Sequence, residues 1–207
     1  MSASVVATPE YEESGWTVDF WLDPACPLTR YTARWIVQIA NEVQLTVRWR
    51  VMSLSVLNEH RDVDPEGDTH GYLWVPARVA VAVQTEHGHD ALGTFYSALW
   101  TDPHGAEREW IGDITEALSR SGLPTSLAGA GMNTGHDAEL RHSHHDGLDR
   151  IEAEVGTPVL AITTSQGDKR AFFGPVLRDA VDREDAITLW EALLQLSSVR
   201  AFRELKS

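Results

Sequence analysis

The chain has 207 residues, 43% of them hydrophobic, with eight tryptophans and a formal net charge of −14, enough to bury a sizeable core as one large domain or two small ones. That acidity argues against nucleic acid or anionic membrane as a partner, because both demand basic surface. A single cysteine cannot staple a secreted fold, no basic-then-apolar leader is readable, and no apolar run approaches a membrane span, so a soluble cytoplasmic protein is expected.

The first expected element is a strand, Trp16–Leu22, which runs into the turn Asp23-Pro24-Ala25 and then the lone Cys26. Helical periodicity follows over Arg30–Glu42, with Pro27 at the first helical position, where its missing N–H costs nothing. Cys26 therefore stands at a helix N-terminus, whose free N–H groups and dipole favour a thiolate and can bring a thiol from about 8.5 into the range of roughly 3.5–7.5. The competing reading is a small thiol packed under a helix. Thr29 lies one turn on, with a hydroxyl able to donate to the sulfur. With no second cysteine in the chain, Cys26 can cycle only through a mixed disulfide or adduct with another molecule.

Leu45–Ser53 alternates apolar and polar residues as a half-buried strand does, completing a strand–helix–strand unit suited to a parallel crossover. From Tyr72 to Glu154 helical periods are broken at Glu86-His87-Gly88, Asp102–Gly105, Ser121–Pro124 and Gly129–Gly135, which reads as an inserted bundle of four or five segments. Val155-Gly156-Thr157-Pro158 then enters a strand, Pro158–Thr163; proline there requires an edge, a turn or a cis bond. A hairpin through Ser165–Lys169 leads to Ala171–Phe173, and a last helix, about Arg183–Ser197, carries Ile187, Trp190, Leu193 and Leu194 on one side. The expected division is an α/β domain from residues 12–62 and 155–207 with a helical domain, 63–154, inserted in it.

These features together resemble the DsbA-like branch of the thioredoxin superfamily, α/β proteins with an inserted helical domain, and within it the actinobacterial mycothiol-dependent nitroreductase group. The stretches that carry the resemblance are Asp23–Pro27, Thr32–Ile36, Val51–Asp62, Arg141–Gly147, Val155–Pro158, Phe172–Leu177 and Phe202–Lys206. It implies a thiol-handling enzyme that uses mycothiol to reduce disulfides or small electrophiles. It also implies a cis Thr157–Pro158 loop that faces Cys26 and clamps the substrate backbone, Asn58 beside the thiol, and His104 near the groove as a proton shuttle. Pro27 and Leu28 complete the expected substrate-binding set. Two departures stand out: the family's Cys-Pro-Trp-Cys is here Cys26-Pro27-Leu28-Thr29, and the loop Val63–Gly71 looks shortened. The monothiol motif is also similar to kappa-class glutathione transferases and hydroxychromene-carboxylate isomerases, which activate a bound thiol with serine.

His142, His144 and His145 have the look of a metal site, but Leu140, Leu148, Ile151 and Val155 step along one face on which His144 falls, so packing is expected and no metal. Arg34 and Arg78 suit a carboxylate-bearing thiol, yet salt bridges are the expected role for each. Trp35, Trp49 and Trp190 read as core. The sequence thus points to a monothiol oxidoreductase, monomer or homodimer, with Cys26 as nucleophile and Thr29 as its activator. It would bind no resident cofactor and take mycothiol or another small thiol as cosubstrate. The alternatives are a thiol transferase or isomerase and a non-catalytic binding protein.

Overall fold

A computed structural model describes residues 15–151, 155–163, 167 and 169–202. Its elements are β1 (Trp16–Leu22), α1 (Pro27–Glu42), β2 (Leu45–Val51), α2 (Leu54–Asn58), α3 (Trp74–His87), α4 (His89–Trp100), α5 (Ile114–Arg120), a 3-10 helix (Thr125–Met132), α6 (Asp137–Leu148), β3 (Val159–Thr163), β4 (Lys169–Phe173) and α7 (Arg183–Ser198). The strands form one sheet in the order β2-β1-β3-β4, with β1 parallel to β2 and antiparallel to β3, and β3 antiparallel to β4. Most of the hairpin segment at 164–168 lies outside the described residues, as does 203–207 of the last matched stretch.

Alternation along β1 assigns its faces. Val18, Phe20 and Leu22 are fully buried with Trp35, Ile36 and Ile39 of α1 and Trp190 of α7 in one core. Trp190 holds the layer together by ring contacts to Trp16 at 6.2 Å and Trp35 at 6.3 Å, and the Trp35 indole donates to Ala186 O at 3.0 Å. On the opposite face Trp21 packs with Met52, Val155, Val159 and Ala161 beneath α6. Gly147 permits that approach, since a Cβ there would stand 2.7 Å from the Trp21 ring. Asp19, also on this face and fully buried, is held ionised by Lys169 at 2.6 Å and Arg50 at 3.1 Å, which together keep its pKa below the ordinary value against the cost of burial.

The inserted helices dock on the β2 edge. Trp49 leans on Phe20 and Tyr96 and would collide with any side chain at Gly93, where a Cβ would lie 2.4 Å from its indole. Gly88, at φ +88°, makes the tight corner between α3 and α4. Edge-strand groups that would otherwise invite pairing are taken by side chains: Val51 N–H donates to Gln84 at 2.8 Å, Ser143 donates to Val51 O at 2.7 Å, and His89 binds Trp49 O at 2.7 Å. The core runs without a break from the sheet into α3, α4 and α5. Among the described residues no helix is long and apolar enough to cross a membrane.

Boundaries depart from the sequence reading in three places. Strand β3 begins at Val159 rather than Pro158. Strand β2 stops at Val51 because Ser53 becomes the N-cap of α2, its hydroxyl accepting from Val56 N–H. Strand β4 starts two residues early, at Lys169.

Candidate active site

Cys26 is the N-cap of α1, with extended backbone (φ −76°, ψ 115°) and Pro27 directly after it. Its side chain is half-buried, while Pro27 and Leu28 are exposed beside it. The peptide bond Thr157–Pro158 is cis, as is Gly174–Pro175. Thr29 and Thr157 are both buried, and their hydroxyls meet at 3.0 Å, so the loop before β3 and the first turn of α1 are joined beside the thiol. Thr157 Oγ1 also accepts from Asp23 N–H at 3.1 Å.

The expectation of a low thiol pKa is not met. Burial pushes the Cys26 thiol up and the charge of Asp23 pushes it further, while the Thr29 hydroxyl and the backbone N–H groups of Thr29 and Leu28 oppose them. Desolvation of a compact sulfur outweighs what the helix N-terminus supplies. Among the groups that oppose burial and Asp23, the Thr29 hydroxyl favours the charged sulfur most.

Sequence reasoning missed Asp23. It is buried, and its carboxylate accepts from Ala25 N–H at 2.8 Å and from Leu54 N–H at 2.7 Å. Burial raises its pKa to about 6, the two backbone donors pulling the other way. One side chain thus ties the turn before Cys26 to α2, and through α2 to the buried Asn58 at its end. The available signal was an acidic residue three positions before a candidate nucleophile. His144 holds the neighbouring amide: its Nδ1 accepts from Ser53 N–H at 3.3 Å, and burial lowers its pKa to about 4, so it is neutral at pH 7.

The three histidines go three ways: His144 inward, His145 outward beside Asp149, and His142 into a 370 Å³ cleft lined by Arg50, Gln84, Glu139, Ser143 and Asp146. Arg78 pairs with Asp137 at 2.7 Å and Arg34 with Glu107, both as salt bridges. His104 is exposed in its loop, its backbone N–H on Asp102 Oδ1 at 2.8 Å. That loop runs beside α1, where Arg30 donates to Arg108 O and lies over the rings of Tyr31 and Trp100. The Trp100 indole donates to Pro24 O at 3.2 Å, and the half-exposed Trp110 stands edge-on to it at 6.4 Å, an aromatic wall beside the Cys26 turn.

The sequence is 26% identical over 201 residues to the uncharacterised protein Rv2286c of Mycobacterium tuberculosis, covering 92% of this chain and 81% of that one. The fold is shared with the probable DsbA oxidoreductase SCO1869 of Streptomyces coelicolor, with a TM-score of 0.54 at 16% identity over 93% of this chain and 94% of that one. It is shared too with the thiol-disulfide exchange protein alpha-DsbA2 of Wolbachia pipientis, with a TM-score of 0.51 at 16% identity over 88% of this chain and 83% of that one. These likenesses establish a DsbA-like thioredoxin fold. The model of the Rv2466c-like family, that of the mycothiol-dependent nitroreductase Rv2466c, matches residues 25–207, from the turn before the thiol to the last residue, and the chain belongs to that family of thiol-dependent oxidoreductases.

Proposed function

We propose that this chain is a monothiol thiol–disulfide oxidoreductase working with a low-molecular-weight thiol, mycothiol by family, in a reducing cytoplasm. The observation that carries the reading is the single half-buried thiol at the head of α1, with the Thr29 hydroxyl directed at its sulfur and Thr157 tied to Thr29. Burial first and then the negative charge of Asp23 hold the Cys26 thiol up, so the sulfur is mostly protonated at neutral pH. The sulfur ionises by losing its proton to water, more readily as pH rises. The thiolate attacks one sulfur of a disulfide, a new S–S bond forms, and the other sulfur leaves as a thiolate that takes up the proton. Where the sulfur attacked is that of the small thiol in its mixed disulfide with a substrate, a second small thiolate then attacks the adduct on Cys26, releasing Cys26 and the symmetric disulfide of the small thiol, which carries away the two electrons' worth of oxidation. Leu28, the Thr157–Pro158 loop and Asn58 line the substrate side, and His104 serves the leaving thiolate at the rim.

Intact mass after incubation with oxidised mycothiol tests this. The expected product is one adduct per chain, lost in Cys26→Ser and formed faster as pH rises above 7, because the thiol is raised. Absence of the adduct between about pH 6 and about pH 9 overturns the reading. Full activity of Cys26→Ser on an organic electrophile replaces it with a transferase that activates a bound thiol.

A further inference from the structure

Arg30 is a cation beside the thiol that this scheme leaves unused. It stands on α1 four residues after Cys26, the spacing that sets two side chains about one turn apart on the same face of a helix. Its neighbours Arg34 and Arg108 are paired with Glu107 and Glu116, whereas among the described residues no carboxylate pairs with Arg30. Its guanidinium donates instead to two neutral oxygens, Arg108 O and the Tyr31 hydroxyl, the latter at 2.6 Å. It lies 4.6 Å from the centre of the Tyr31 ring and 5.4 Å from that of Trp100, whose indole is fixed on Pro24 O two residues before the thiol. These bonds leave one N–H on each terminal nitrogen for a ligand, and Nε is buried without a partner. An aliphatic side chain would fill the space between the two rings with no charge to compensate and no donor left over, so packing does not account for an arginine here.

We propose that Arg30 is a specificity-determining residue that binds a carboxylate on the disulfide attacked by Cys26, so that the site takes acidic disulfides in preference to neutral ones. The inference rests on the oxidoreductase reading above and names its substrate class. A carboxylate accepts from a guanidinium through charge-assisted bonds, and the two rings and Arg108 O hold the group in place before the ligand arrives. The chemistry at sulfur is unchanged: the Cys26 thiolate forms the new S–S bond, and the other sulfur of the disulfide leaves as a thiolate. The sign of the preference is informative, because a net charge of −14 by itself disfavours an acidic substrate. Preference for one therefore needs a local cation, and Arg30 supplies it one helical turn from the sulfur.

The experiment is the rate of mixed-disulfide formation at Cys26, read by intact mass, with dithiodipropionate (acidic), hydroxyethyl disulfide (neutral) and cystamine (basic), in wild type and Arg30→Gln. Each rate is divided by that of mercaptoethanol with the same disulfide, which removes differences in intrinsic reactivity. Wild type is expected to favour dithiodipropionate over hydroxyethyl disulfide, and Arg30→Gln to lower that ratio about tenfold, the equivalent of one charge-assisted hydrogen bond. Added salt should lower the wild-type ratio, since it screens the Arg30–carboxylate attraction; without such a site, salt would relieve the repulsion from the acidic chain and raise it. A fall in all three rates alike, with a lower Tm, overturns the proposal, because it marks Arg30 as a fastening between α1 and the loop at Arg108. If Arg30→Gln does not fold, the wild-type salt series decides alone: a ratio that falls supports the site, and one that rises or stays flat overturns it. Adducts with all three disulfides but no acidic preference overturn this inference and leave the oxidoreductase reading standing. No adduct with any of them overturns that reading, and this inference with it.

Discussion

Replacing Asp23 with asparagine separates the charge of this residue from its shape. The rise from 3.8 to about 6 means that folding disfavours the ionised carboxylate by roughly 3 kcal/mol. The sign follows from linkage: a carboxyl raised on folding contributes stability below its ordinary value and loses it as pH climbs through about 6. Asparagine offers one carbonyl to the two N–H donors of Ala25 and Leu54, leaving one amide unpaired at about 1–3 kcal/mol, a penalty that does not vary with pH. His144 acts in the opposite sense, since its contribution is present above 6.5 and is lost as pH falls toward about 4, but it is common to both proteins and cancels in the difference. The stability of Asp23→Asn minus that of wild type should therefore increase by roughly 3 kcal/mol between about pH 4 and about pH 7.5. For a chain of this size that corresponds to a relative gain in Tm of about 6–12 °C. Thermal and urea unfolding at matched pH values measure it. Alkylation of Cys26 in the variant should begin at lower pH, because the negative charge that raised the thiol is gone. A stability difference that stays flat across this range refutes the account of Asp23 as a buried, raised carboxyl.

Thr29→Val keeps the shape of the side chain and removes its hydroxyl, so the alkylation profile of Cys26 should move to higher pH and unfolding free energy should fall by about 1 kcal/mol with the loss of the Thr157 bond. An unmoved profile would show that Thr29 only packs. Gly147→Ala places a methyl 2.7–2.9 Å from the fully buried Trp21 ring. Overpacking of about 1–3 kcal/mol, set against a helix-propensity gain of up to about 1 kcal/mol, leaves a net loss in urea unfolding, and a more stable variant would mean that the ring has room to shift.

What the sequence showed and what it hid divide along sequence separation. The strand Trp16–Leu22, the helix head at Pro27 and the alternation through Leu45–Val51 are local signals, each written within one turn or one pleat. The Cys26 turn was legible for the same reason. The sign of its pKa shift was not, because burial around the Cys26 turn comes from groups far along the chain, among them Trp100 on Pro24 O and Thr157 on Thr29. Asp23 looked like a turn residue, since its second acceptor bond goes to Leu54, 31 positions away. Gly129–Gly135 read as a break, yet a 3-10 helix, Thr125–Met132, runs into it, because Gly131 lies against Val75, where a Cβ would stand 2.7 Å from the side chain.

The absence of a second cysteine does not leave the head of α1 loose, and the hydrogen bonds explain why. Asp23 N–H donates to Thr157 Oγ1, the Thr157 and Thr29 hydroxyls meet at 3.0 Å, and the Thr29 hydroxyl favours the charged form of the Cys26 sulfur. The result is a chain of polar groups from the Asp23 backbone through Thr157 to Thr29, ending beside the sulfur. A thiol at position 29 is a weak donor and a weak acceptor, and would break that chain in the middle. Thr29 is therefore suited to a site where the sulfur must be charged or bonded to an outside partner. Thr29→Cys, which makes a dithiol on paper, would sacrifice the donor that favours thiolate at Cys26.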